Sequence, residues 1–186
     1  RFFTVYGPWG RPDMACQIFA TAILQGKPIA VFNHGKMKRD FTYIDDIVLG
    51  IKNVIDKPAQ PNINWNGKHP DAASSSAPYR IYNIGNNKPV ELLHFITLLE
   101  TYLGKKAIIE MKSLQPGDVK DTWADVDALS RDFNYKPKTT IENGLQQFTA
   151  WYKAYYGITE PSEVVWKPVS KATKQTFSKP HIANAK

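Results

Sequence analysis

Four side chains in this sequence are suited to an anionic, hydroxyl-rich small molecule. Arg39 carries a planar fork of donors that can bond phosphate oxygens two at a time. It stands in the run Lys36-Met-Lys-Arg-Asp-Phe-Thr-Tyr-Ile-Asp-Asp46; the competing reading of Lys-Met-Lys-Arg is a solvated turn. Asp118 follows a Pro116-Gly117 turn. Its carboxylate oxygens can accept from hydroxyl donors, although an Asp in a turn also bonds its own backbone. Thr4 and Arg11 combine a hydroxyl with a guanidinium, a pairing that fits a carboxylate. Arg11 precedes Pro12 in a loop, where a surface ion pair is the alternative.

Other chemistries find little support. His34, His69, His94 and His181 are scattered, and no metal constellation, Ser-His-Asp order or Cys-His order stands out. Cys16 is the single cysteine, which excludes an internal disulfide framework; it sits in an apolar helical stretch and reads as a packing residue. A Tyr-x-x-x-Lys spacing occurs at Tyr102 and Lys106, but Leu103-Gly104 ends the helix between them, so the two cannot share a helical face. Gly7-Pro-Trp-Gly10 is a fragment of a phosphate-binding glycine spacing that follows the wrong kind of element. No catalytic residue is therefore assigned within the chain.

The elements that must position these groups follow from hydrophobic spacing. Met14, Ile18, Ala22, Ile23 and Leu24 predict a helix between Asp13 as cap and Gly26 as stop. A short strand is expected over Ile29–Phe32, a turn at Asn33-His34-Gly35, and extended chain over Arg39–Ile44. Asp45–Lys57 reads as a helix with acidic residues at its start, where the dipole favours them, and Pro58 ends it. Residues 58–78 are loop-like and longer than most connections, so they read as a lid, an interface segment or a surface insertion. Arg80–Ile84 alternates as a strand, Val90–Leu103 as an amphipathic helix stopped by Gly104, and Ala107–Met111 as a strand. A short helix over Asp125–Phe133, capped by Asp125 or Asp127, precedes a long one over Thr140–Tyr156. In the latter, Ile141, Leu145, Phe148, Trp151, Tyr152 and Tyr155 share a face expected to be core. The alternation of strands and helices gives an α/β fold class.

Composition bounds the rest. The chain has 186 residues, 42% of them hydrophobic, enough for one domain with a core. No apolar run approaches the ~20 residues of a membrane span. Of the net charge of +7, much is local to the end of the chain, where Lys167, Lys171, Lys174, Lys179 and Lys186 face only Glu163 after Pro161. Those lysines are spaced with Ser, Thr, Pro and Ala rather than clustered with aromatics, so residues 157–186 read as a flexible basic tail and not as a nucleic-acid surface. The remaining positive charge suits an anionic small substrate, and a cytoplasmic setting fits the single cysteine. The chain opens at once on a β-rich run, Phe2–Tyr6, without an initiator Met or signal-peptide pattern. A strand there needs a sheet to join, and the expectation is that this chain is the C-terminal part of something larger.

The motif order makes the resemblance specific. Arg1-Phe-Phe-Thr-Val-Tyr-Gly-Pro8 with Arg11-Pro-Asp-Met14, then Arg39-Asp-Phe-Thr-Tyr-Ile-Asp-Asp46, Tyr82-Asn-Ile-Gly85 and Gln115-Pro-Gly-Asp118 resemble the C-terminal portion of extended short-chain dehydrogenase/reductases of the NAD-dependent epimerase/dehydratase family. The likeness is greatest to UDP-glucuronate 4-epimerases and covers residues 1–156. It implies a substrate-binding part attached to a doubly wound, Rossmann-type sheet whose NAD-binding half lies upstream. By the same resemblance Arg39 contacts the nucleotide phosphates, the backbones of Ala30 and Phe32 bond the uracil edge, and Asp118 takes the ribose hydroxyls. Thr4 and Arg11 then lie near the sugar or its carboxylate, and Tyr6, Gly7 and Pro8 shape the loop beside the nicotinamide. The general-base Tyr-x-x-x-Lys pair and a homodimer interface are expected in the upstream half. Gln115 replaces the Arg that many galactose-type epimerases carry there, which favours glucuronate-type substrates. The alternatives are a non-catalytic sugar-nucleotide-binding protein and a decarboxylase or dehydratase acting on a UDP-sugar.

Overall fold

Glycines and prolines set the limits of the helices, and long-range strand pairs bring them together. A computed structural model describes residues 1–158. Helix α1 (Ala15–Gln25) ends at Gly26, whose φ of 67° is the left-handed conformation a helix stop requires. Strand β2 (Pro28–Val31) follows, then a turn over Phe32–Gly35, then β3 (Lys38–Arg39) and β4 (Phe41–Tyr43). Helix α2 (Ile44–Asp56) begins directly on β4, with Asp45 and Asp46 in its first turn. Strand β5 (Val90–Glu91) leads into α3 (Leu92–Leu103), which Gly104 ends at φ 71°. Strand β6 (Ile108–Met111), α4 (Asp127–Phe133) and α5 (Ile141–Tyr155) complete the order after β1 (Thr4–Tyr6). Thr140 caps α5 by accepting from the Asn143 amide.

Among the described residues the strands form three separate pairs. β1 lies parallel to β4 and β2 parallel to β6, while β3 and β5 are antiparallel. The opening strand therefore finds a partner within the chain, with Thr4 opposite Phe41 and Tyr6 opposite Tyr43. The largest buried cluster joins α1, β2, β4, α3 and α5 through Ile23, Val31, Phe41, Phe95, Leu99 and Phe148. Burial of each such side chain contributes about 1.5–3 kcal/mol. Phe41 and Phe95 stack with ring centroids 4.2 Å apart. A second cluster sets Ile47 and Ile84 against Leu129 and Tyr135.

Several expectations need correction. Arg80–Ile84 is not a strand: it makes isolated bridges only, Arg80 with Ser74 and Ile84 with Phe2. Its amides are used singly by distant carbonyls, Ile81 by Ala73 and Ile84 by Arg1, so no ladder propagates. Asp13 does not cap α1. Met14 occupies the cap position without a side-chain bond, because the Asp13 carboxylate is held by Arg11. Asp125 bonds the Asp127 amide, but Val126 occupies the cap position of α4. The aromatic stripe of α5 is buried at Phe148 and Tyr152 but emerges toward its end. There the exposed Tyr155 stacks on Trp151 at 5.3 Å and meets Trp9 edge-on at 4.9 Å. Gly157 and Ile158, assigned by sequence to the tail, still close α5 with bonds to the Ala154 and Lys153 carbonyls. The remainder of that tail lies outside the described residues.

The 58–78 stretch carries neither helix nor strand and is tied to itself. Asp71 accepts from the Ala73 amide at 2.9 Å and the Ser74 hydroxyl at 2.7 Å, and Arg80 approaches it at 3.4 Å. The Ser74 hydroxyl, foremost among these, holds the Asp71 carboxyl below its ordinary range. Among the described residues, no helix is long and apolar enough to cross a membrane.

Candidate functional site

Arg39 closes the short strand β3, and the segment 118–122 runs alongside it: Lys38 N donates to Lys120 O at 2.9 Å, and Thr122 N returns to Lys38 O at 3.1 Å. That juxtaposition brings Arg39 to Asp118. The guanidinium Nη2 donates to Asp118 Oδ1 at 2.9 Å, and Nη1 donates to the carbonyls of Lys38 and Lys120, each at 2.9 Å. Both side chains are partly covered, at 19% and 31% exposure. Asp118 Oδ1 also accepts from its neighbour's amide, Val119 N, at 2.9 Å. The two sequence readings of Asp118, a turn residue and an acceptor facing a ligand, are thus compatible. Gly117, at φ 82°, provides the left-handed turn that presents it.

Arg39 and Asp118 stand at one wall of a cleft of about 260 Å³. Thr4 reaches it from β1, Ala30 from β2 and Phe32 from the turn that follows. Strand alternation explains Ala30: Ile29 and Val31 are buried, while Ala30 faces outward. Beyond Phe32 the chain turns through Asn33 (φ 49°), His34 (φ 51°) and Gly35 (φ 75°). A Cβ on Gly35 would stand 2.6 Å from Leu93, so this tight turn needs glycine for space as well as for φ. Five of the six substrate-binding residues expected from sequence therefore share one cleft. The apolar wall, formed by Met14, Phe19, Met37, Phe41 and Leu92, was not foreseen. Apolar side chains at helical or strand spacing look the same whether they line a core or a cleft.

Arg11 lies elsewhere. Its guanidinium is exposed and held by the Asp13 carboxylate through Nε and Nη2. Tyr6 is buried at 3% exposure, in edge contact with Tyr43 at 5.6 Å and Phe41 at 6.1 Å. Burial, the largest cause, lifts its phenol far above the ordinary value, and its hydroxyl has no hydrogen-bond partner among the described residues. Tyr6→Phe is expected to raise stability by about 1 kcal/mol, since an unpaired buried hydroxyl is removed without a change of shape. An unchanged or lower denaturation midpoint would reveal a hidden partner. Gly7, at φ 138°, admits no side chain: a Cβ would lie 2.6 Å from Ile44 Cγ2. Pro8 beside it is half-buried.

Among the described residues, the groups singled out by spacing lie apart or are engaged elsewhere. Lys106 lies beyond the end of α3 and bonds Glu100 at 2.7 Å, while the Tyr102 carbonyl accepts from Lys153. Cys16 is buried at 4% exposure, and burial pushes its thiol well up, away from the reactive thiolate. Among the described residues no group of three or more His, Cys, Asp or Glu could hold a metal ion.

Comparison with known proteins finds similar chains and folds. Residues 1–85 match the NAD dependent epimerase/dehydratase family. The chain is 56% identical over 156 residues to Protein CapI of Staphylococcus aureus, covering 84% of this chain and 47% of the relative. It is 44% identical over 157 residues to a probable UDP-glucuronate 4-epimerase of Rhizobium meliloti, covering 84% and 46%. Among solved structures, UDP-glucuronic acid 4-epimerase from Bacillus cereus in complex with UDP-glucuronic acid and NAD superposes with a TM-score of 0.68. That match is 32% identical and covers 84% of this chain and 45% of that one. The matched region spans 36–47% of the length of such curated relatives. With the α/β fold, the motif order and these matches in agreement, the chain belongs to the NAD-dependent epimerase/dehydratase family.

Proposed function

We propose that the cleft holds the nucleotide end of a UDP-sugar, and that the protein carrying this chain interconverts UDP-glucuronate and UDP-galacturonate. The observation that supports the reading is the convergence of Thr4, Ala30, Phe32, Arg39 and Asp118, from four separate stretches, on one cleft. Its volume of about 260 Å³ is below the roughly 300–1,000 Å³ of a whole ligand pocket. It therefore suits one moiety, with the diphosphate and sugar extending past Arg39 along the surface. The apolar wall accepts the faces of a base, and the backbone groups of Ala30 and Phe32, residues that line the cleft, are assigned to its edge. Among the described residues Arg39 makes three of its five possible N–H bonds, which leaves two for phosphate oxygens. Asp118 has a second oxygen available to ribose hydroxyls.

NAD, when bound, supplies removal and return of hydride at the sugar. Within the described residues there is no glycine-rich phosphate turn, and Tyr6 turns its phenol into the core. Holding NAD is accordingly assigned mainly to sequence outside this chain, with the Gly7-Pro8 backbone as a wall beside it. The assigned work of this chain is to bind and orient the sugar nucleotide.

The test is the product formed from UDP-glucuronate by the protein that carries this chain. UDP-galacturonate is expected, and release of carbon dioxide would replace the epimerase by a decarboxylase. Arg11 must leave Asp13 to reach a sugar carboxylate. If it does so, Arg11→Ala weakens UDP-glucuronate about tenfold more than UDP-glucose, the value of one charge-assisted contact. Equal losses for the two sugars in a titration would end the carboxylate role.

A further inference from the structure

The residue after Arg39 is buried, charged and unused by the cleft. Asp40 is 0% exposed, yet its carboxylate is satisfied entirely by backbone. Oδ1 accepts from Asn86 N at 2.9 Å, and Oδ2 accepts from Asn87 N at 3.0 Å and Ala124 N at 2.8 Å. Its own carbonyl accepts from Thr4 N at 3.2 Å. One residue thus joins four stretches: the strand bearing Thr4, the strand bearing Arg39, the turn at 85–87, and the segment that carries Asp118 six positions before Ala124. Gly85 makes the junction possible. A Cβ there would lie 2.3 Å from the Ala124 Cβ and 2.9 Å from Asp40 Oδ2.

We infer that Asp40 is a positioning residue for sugar-nucleotide binding, fixing the reach of Asp118 and Thr4 relative to Arg39 through the backbones it grips. The inference rests on the sugar-nucleotide reading of the cleft. Asp40 is not among the residues lining that cleft, so it acts through the others. A second buried carboxylate provides the contrast. Asp46, 5% exposed, accepts from Lys138 N at 3.1 Å and Thr139 N at 2.9 Å and ties α2 to the approach to α5. It holds the fold together by the same chemistry, and neither Lys138 nor Thr139, whose amides it accepts, lines the cleft.

The experiment compares Asp40→Asn with Asp46→Asn in the protein that carries this chain, titrating UDP by calorimetry at a temperature where circular dichroism shows each variant folded. An amide at position 40 offers one oxygen where the carboxylate offered two, so N–H groups face either the Asn86 amide or those of Asn87 and Ala124, and the junction that holds the 118–124 segment is loosened. The parent and Asp46→Asn are expected to bind UDP within twofold of each other, while Asp40→Asn binds about tenfold or more weakly, as small displacements of aligned groups do. Asp118→Asn weakens the parent but changes Asp40→Asn by less than twofold, because Asp118 is already displaced. If Asp40→Asn does not fold, Gly85→Ala, which drives Ala124 off an intact Asp40, takes its place with the same expectations. Binding by Asp40→Asn equal to that of Asp46→Asn overturns the inference, as do losses at positions 40 and 118 that multiply independently. A parent that does not bind UDP overturns the sugar-nucleotide reading itself, and the inference with it.

Discussion

Gly144→Ala destabilises the fold by about 3 kcal/mol, the upper end of the usual overpacking cost. Gly144 lies in the first turns of α5, where a Cβ would stand 1.9 Å from Tyr6 Oη and 2.7 Å from its Cζ. Tyr6 cannot retreat, because its ring is wedged among Phe41, Tyr43 and Phe95. The helix cannot shift either without uncovering Leu145 and Phe148, both fully buried. Adding Tyr6→Phe relieves the shorter clash but not that with the ring carbon. The double variant is therefore expected to recover part of the loss, leaving a coupling of about 1 kcal/mol in a double-mutant cycle. Urea denaturation of the four proteins is the measurement. Stability of Gly144→Ala within half a kcal/mol of the parent would show that α5 does not pack this closely on β1.

Arg39→Ala weakens UDP, UDP-glucose and UDP-glucuronate alike, by roughly 10- to 150-fold. The magnitude corresponds to about 1.5–3 kcal/mol for hydrogen bonds to a charged group. The equality across ligands follows from the shared diphosphate. Two effects act together: the donors aimed at phosphate are lost, and Asp118 is left without its cation on a wall that must receive negative charge. Arg39→Lys restores less than half of the binding free energy lost, since the three donors of one compact ammonium lack the planar fork that spans Asp118, the Lys120 carbonyl and two phosphate oxygens at once. A dissociation constant for UDP that does not move in Arg39→Ala would remove the diphosphate from this wall of the cleft.

Most of what sequence revealed here was local. Gly26 and Gly104 stop helices because only left-handed backbone completes those ends, and Thr140 caps α5 because a hydroxyl is well placed for the third amide. Such signals need no knowledge of distant chain. Arg80–Ile84 has the alternation of a strand, but a strand also needs a neighbour in register, and alternation says nothing about that. Asp13 looked like a cap until Arg11, two positions away, competed for its carboxylate. The site was legible where motifs carry polar groups, as at Arg39 and Asp118. It was illegible at Met37, Phe19 and Leu92, whose apolar side chains carry no signal of a ligand. Gly85, Gly144 and Asp40 lay beyond local reading for a different reason. Each is defined by what approaches it from residues far along the chain, at Ala124, Tyr6 and Asn86 respectively.

The parallel pair of β2 with β6 has a consequence for how the cleft comes into being. Pro28 meets Ile108 only after both intervening helices and the long 58–78 connection have been accommodated, and closing so large a loop precedes any reward from the contacts it allows. During synthesis, the stretch holding Ala30 and Phe32 leaves the ribosome long before β6 exists to fix its backbone, and Asp118 emerges later still. Ligand recognition would then be among the last properties the chain acquires as it folds. Pairings between distant strands are also slow to form, so a kinetic record of refolding should show helical signal returning ahead of the capacity to bind nucleotide.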